Sequence, residues 1–178
     1  MGLITLLIFP IPTFLTLYYF EGIDPMTILD FENLGIIQVG YGIEFGFVYA
    51  ILAILLLKSR VFDGLPMNME QVVRSMNLSI WDSLFLSFCA GFGEEILFRS
   101  GFQFYIHPVL VSIIFIAIHG YFHPTNWRLS LYGIILLPFI LLLSYGFIEF
   151  GLWFAIAAHF MYDFVVFMSI REPKSTHR

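Results

Sequence analysis

Long apolar runs separated by short polar breaks fill almost the whole chain. The runs cover residues 2–20, 36–57, 80–105, 108–119, 129–147 and 150–170. A helix rises about 1.5 Å per residue, so about 20 apolar residues cross a hydrocarbon core. The pattern predicts an all-α, polytopic transmembrane helix bundle of about six spans. Pro10 and Pro12 predict a kink in the first run, which helices in lipid tolerate. Pro108 suits the first helical position of the fourth. Pro138 lies inside the fifth. Gly42 and Gly46 flank Glu44 in the second and predict close helix packing there, with Glu44 in a polar contact between spans.

The polar breaks set the expected orientation. Residues 21–35 carry Glu21, Asp24, Asp30 and Glu32 and no Lys or Arg. Residues 58–79 carry Lys58, Arg60 and Arg74, the 120–128 loop ends on Arg128, and the 171–178 tail is basic. Loop basic residues stay on the cytoplasmic side, so both termini are expected there. The first run lacks a basic leader and a small-residue cleavage site, so it reads as a span and not a removable signal.

Composition agrees. The 178 residues are 60% hydrophobic and 12% charged, with a mean hydropathy of +0.90. One soluble core of this size cannot hide so much apolar surface. The expected organisation is a single transmembrane domain over 1–178. Two N-terminal spans fill 1–79, a chemistry-bearing core fills 80–170, and the tail fills 171–178. The net charge of -5 comes without a basic patch, so no nucleic-acid partner is expected. Cys89 is the single cysteine, so no internal disulfide can form.

The informative residues are the polar ones at membrane depth. Gly93-Glu94-Glu95-Ile96-Leu97-Phe98-Arg99 places two carboxylates and a guanidinium inside an apolar run. Ionisable groups there are costly and mark function by default. Glu95 and Arg99 are i and i+4 and can pair; the plainer reading is a structural ion pair. Glu94 then points about 100° away around the helix. His119 ends the fourth run, and His159 and Asp163 share one face of the sixth. Counted from the outer helix ends, Glu94, His119 and His159 all lie about 16–18 Å deep. Asp163 lies one turn further in. A carboxylate and a neutral imidazole at one level can share a water and take its proton as it attacks a carbonyl. A second histidine with a polar partner can stabilise the oxyanion. Arg99 is the group expected to keep the glutamates ionised.

Glu94-Glu95-x-x-x-Arg99, Phe115-x-x-x-His119 and His159-x-x-x-Asp163 follow one another on successive apolar runs. Together they resemble the CPBP family, which groups type II CAAX prenyl endopeptidases with bacteriocin-processing and self-immunity membrane proteins. The resemblance covers 80–170, the CPBP-like core. It implies an all-helical intramembrane glutamic protease, a hydrolase that needs no cofactor. It also implies catalytic roles for Glu94, His119, His159 and Asp163, with Glu95 and Arg99 supporting. Glu94 and His119 match the water-activating pair, and His159 and Asp163 match the oxyanion pair. Asp163 stands where the eukaryotic enzymes carry Asn. An ionised Asp accepts but does not donate.

The expected partners are membrane lipid and a membrane-tethered peptide or protein substrate, in a prokaryotic plasma (inner) membrane. Prenylated CAAX-type tails and C-terminal sorting signals are both candidate substrates. The alternative function is a catalytically silent scaffold or bacteriocin-immunity protein of the same fold. A proton relay or transporter ranks lower, because few polar residues continue the path outward. A divalent metal on Glu94, His119 and His159 is the less favoured chemistry, and no His-Glu-x-x-His is present. The orientation is checked with a fluorescent reporter that matures only in the cytoplasm. Fusions at either end are expected to fluoresce, and a fusion within 21–35 is expected to stay dark.

Overall fold

The computed structural model describes residues 2–60 and 74–171. The centre of the 58–79 loop and all of the tail after Arg171 lie outside the described residues. Every described element is helical. The first span is α1 (Gly2–Ile8) and α2 (Pro10–Glu21). They break at Phe9, as expected where Pro10 has no backbone N–H to give. The 21–35 stretch is more ordered than a plain loop, with a short α3 (Pro25–Ile28) and one 3-10 turn. Two of its acids act as caps. Asp24 accepts from the Met26 N–H at 2.8 Å. Asp30 accepts from the Leu152 N–H at 3.0 Å and so caps a helix far along the chain.

The second span is α4 (Ile36–Leu57). Next comes one helical run that changes character. It begins as α5 (Ile80–Glu95), opened by a Ser79–Asp82 capping box. It widens into a π-helical turn over Ile96–Phe102 and closes as α6 (Gln103–Tyr105). The short α7 (Pro108–Ile118) stops at His119. The last two spans are α8 (Trp127–Phe150) and α9 (Leu152–Ile170). The connection expected at 148–150 is helical. The reversal is confined to Gly151, whose φ of 83° only glycine adopts without strain.

Among the described residues, four helices are long and apolar enough to cross a membrane: 2–21, 36–57, 127–150 and 152–170. The 80–105 run also has the length, but the π turn divides it. The 11 residues of α7 reach about halfway across. The outer faces are apolar. Leu3, Leu7, Leu55, Ile134, Leu142 and Ile148 are each more than half exposed, which fits a lipid surface and no aqueous one. The chain is an integral membrane protein.

The α9 helix is central and packs most extensively on α4, then on α5. Small residues make the α4 contact possible. Gly42, Gly46, Ala50 and Ala53 are buried along one stripe. A Cβ at Gly46 would lie 2.1 Å from the Ala158 carbonyl oxygen, so backbone meets backbone. Glu44 departs from expectation. It is exposed and does not face the α9 contact that its glycine neighbours make. Successive helical residues point about 100° apart, so the buried Gly42–Gly46 stripe turns Glu44 outward.

Gly46→Ala is expected to destabilise the bundle by about 1–3 kcal/mol through overpacking. Gly40→Ala, where no atom lies within 4 Å of the added carbon, is expected to be neutral. Thermal unfolding of both variants in detergent checks the contrast.

Candidate active site

Glu95 is the last residue of α5, and its carboxylate is fully buried. Arg99, one turn later, is also fully buried. The Arg99 Nε–H donates to Glu95 Oε2 at 2.8 Å. The other carboxylate oxygen, Oε1, lies 2.6 Å from His159 Nδ1 on α9. Arg99 Nη1 donates to the Ser144 hydroxyl on α8 at 2.6 Å. Ser144 in turn lies 3.0 Å from the Ser112 hydroxyl on α7. One chain of direct side-chain contacts thus ties α5, α7, α8 and α9 together. Gln103 adds a bond from its amide to the Ser144 carbonyl at 2.9 Å. Charges at this depth persist only when paired in this way.

The π turn that carries Arg99 is held by the first span. Wider turns of this kind often sit at functional sites. The buried Thr13 hydroxyl on α2 donates to the Ile96 carbonyl at 3.2 Å. Gly101 lets α2 come close, since a Cβ there would sit 2.3 Å from the Thr13 hydroxyl oxygen. On the other side of the glutamates, a Cβ at Gly93 would lie 2.0 Å from the Thr5 carbonyl oxygen on α1. The two N-terminal helices therefore brace the segment on which both glutamates stand.

The second layer is open. The side chains of Glu94, His119 and Asp163 are 14%, 33% and 22% exposed, against 0% for Glu95 and Arg99. Glu94 Oε2 lies 3.4 Å from His119 Nε2. His119 Nδ1 lies 2.7 Å from the Phe115 carbonyl oxygen. A carbonyl only accepts, so Nδ1 carries the proton, and whenever the ring is neutral its lone pair is at Nε2. Glu94 Oε2 is itself buried and has no hydrogen-bond partner among the described residues. Two acceptors facing each other this closely call for a shared proton or a water that donates to both. The Phe115 ring stacks on His119 with centroids 4.3 Å apart and also lies beneath Arg99 at 5.8 Å. His159 spans the two layers. Its Nδ1 is on Glu95, and its Nε2 is 3.6 Å from Asp163 Oδ2.

A family model described as type II CAAX prenyl endopeptidase Rce1-like matches residues 76–165, half of the chain. The chain belongs to the Rce1-like family. It is also 29% identical, over 157 residues, to "Uncharacterized protein YpbD" of Bacillus subtilis (strain 168). That match spans 87% of this chain and 80% of the relative. No solved structure matches.

All six residues singled out in this Rce1-like chain lie in one connected arrangement, but their pairing differs in part from expectation. Arg99 faces Glu95 and not both glutamates; Glu94 turns to His119. Glu95 does more than lock its own helix, since it also holds His159. The residues Glu94, His119 and His159 of the metal-dependent alternative divide between the two layers. Among the described residues no three His, Cys, Asp or Glu side chains converge to hold a metal ion. A cavity of about 510 Å³ lies elsewhere, near Asp30, Asn33, Ser100 and Glu149, and none of the six lines it.

Sequence reading missed Thr13, Gln103, Ser112 and Ser144. Hydroxyls in apolar helices commonly bond their own preceding turn, as Ser112 also does to the Pro108 carbonyl at 2.8 Å, so they carry no signal of a distant partner. Arg99→Ala is expected to cost about 3–5 kcal/mol, because it leaves the Glu95 charge buried without its cation. Ser144→Ala removes the bond of Arg99 Nη1, beside Nη2, which already has no partner among the described residues, at about 1–3 kcal/mol. Unfolding midpoints in detergent rank the two.

Proposed function

We propose that this Rce1-like protein is an intramembrane endopeptidase of the glutamic type. Its substrate is a membrane-tethered peptide, either a prenylated CAAX-type tail or a C-terminal sorting signal, in a prokaryotic plasma membrane. The observation that carries this reading is the Glu94–His119 pair. Both groups stand on the open side of a sealed ionic cluster, with acceptor atoms 3.4 Å apart. That arrangement suits one water held by two bases.

The water oxygen attacks the scissile carbonyl carbon. Its proton passes to Glu94 or to His119 Nε2, and the carbonyl electrons move to oxygen. His159 Nε2, on the adjoining helix face, meets that oxyanion. The held proton then goes to the scissile nitrogen as the C–N bond breaks, leaving a carboxylic acid and an amine. Glu95 keeps His159 oriented, and Arg99 keeps Glu95 compensated in the low dielectric.

The test compares wild type with Glu94→Ala, purified in detergent, on quenched peptides with and without a prenyl group. Each is assayed with and without chelator. Wild type is expected to cleave, and Glu94→Ala to lose at least about 100-fold in kcat, the scale of general-base loss. Activity is expected to survive the chelator. Loss on chelation moves the chemistry to a metal. A wild type that cleaves nothing, with a host phenotype indifferent to Glu94→Ala, leaves the silent scaffold or immunity protein as the working function.

A further inference from the structure

We infer that Asp163 is a positioning residue that acts through His159. Together with Glu95 it holds the imidazole doubly protonated, so a developing oxyanion would meet a full positive charge. The charge state stands on geometry alone; its use against an oxyanion rests on the endopeptidase reading above.

His159 is buried, and each of its ring nitrogens faces a carboxylate. Nδ1 lies 2.6 Å from Glu95 Oε1, in the short range of charge-assisted bonds. Nε2 lies 3.6 Å from Asp163 Oδ2, one turn along the same helix. A neutral imidazole carries one N–H. It can serve one of these acceptors and would turn a lone pair on the other. Only the imidazolium presents a proton to both.

The charges nearby favour the same state. The titratable groups closest to this point are Glu94, Glu95 and Arg99 on the α5 run, His119 and Tyr121 after α7, Tyr132 on α8 and Tyr49 on α4. Tyr162 and Asp163 lie on α9 itself. Tyr132 and Tyr162 bond each other through their hydroxyls at 3.2 Å. Arg99 is the permanent cation of this set and is taken up by Glu95. The Asp163 carboxylate is left with His159 as its partner. Glu94, Glu95 and Asp163 bring three carboxylates to this set against the single guanidinium of Arg99, and a proton on His159 offsets one of the two uncompensated charges.

The two contacts are unequal in a useful way. At 3.6 Å the Asp163 contact is too long for a full hydrogen bond. It holds charge without consuming the Nε2–H, which stays available to a substrate oxygen. Asp163 itself, as an ionised carboxylate, has no proton to donate. Its contribution is therefore to the state of His159.

The test is a long-range proton–nitrogen spectrum of the whole protein in detergent, with nitrogen-15 histidine, at about pH 8, where free imidazole is neutral. His159 is assigned by the resonances that vanish in His159→Gln. Wild type is expected to show both His159 nitrogens protonated, and Asp163→Asn to show one of them unprotonated. A wild-type His159 with an unprotonated nitrogen overturns the inference. So does an Asp163→Asn ring that stays fully protonated. If Asp163→Asn does not fold, the wild-type spectrum decides. The spectrum needs no substrate, so failure of the endopeptidase reading appears separately, as a wild type that cleaves nothing. Where cleavage is measured, kcat of Asp163→Asn is expected to fall by about tenfold between about pH 7 and 9, with KM changed less than about twofold and wild type flat.

Discussion

The buried contact between Arg99, Glu95 and His159 is the constraint on which the rest of this bundle depends. A fully buried guanidinium and carboxylate survive only if each charge meets its partner. The partners come from four helices, so α5, α7, α8 and α9 have one relative placement that satisfies them all. Apolar packing in lipid is permissive, because lipid tails and leucines are equally apolar. The ionic chain supplies the specificity that such packing lacks. It also sets which way the neighbouring Glu94 points.

From that sealed layer the open layer follows. Adjacent residues on a helix diverge by about 100°, so fixing Glu95 inward leaves Glu94 in the partly exposed layer. The short α7 ends there, and its last turn supplies the Phe115 carbonyl that sets the His119 tautomer. The same Phe115 ring touches His119 on one side and Arg99 on another, which joins the two layers by packing as well as by charge. The N-terminal helices, which lie outside the matched family region, take part through Thr13 and the close approaches at Gly93 and Gly101.

Much of the architecture was legible because the membrane makes hydropathy a direct statement about position. The kink at Pro10, the start of α7 at Pro108 and the Gly42–Gly46 contact followed from local chemistry. The family was legible too, from three short patterns in order. Other features were not. The caps formed by Asp24 and Asp30 looked like loop charge, and Glu44 looked like an interhelical contact. The Asp24 cap is local, on Met26, but for Asp30 and Glu44 the deciding factor was a neighbour far along the chain.

The sequence by itself determined the apolar runs and the set of six ionisable residues that lie within them. Those are consequences of composition and helical period, which are local. Only the tertiary structure decided the pairing: Glu94 with His119, Glu95 with both Arg99 and His159, and Ser144 with the guanidinium. Spacing says which side chains share a helix face. It does not say which face of another helix lies opposite, because that depends on rotations set by all the close packings at once. The π turn after Glu95 is one such rotation, and the Thr13 hydroxyl that braces it comes from a span with no visible tie to the site in the sequence.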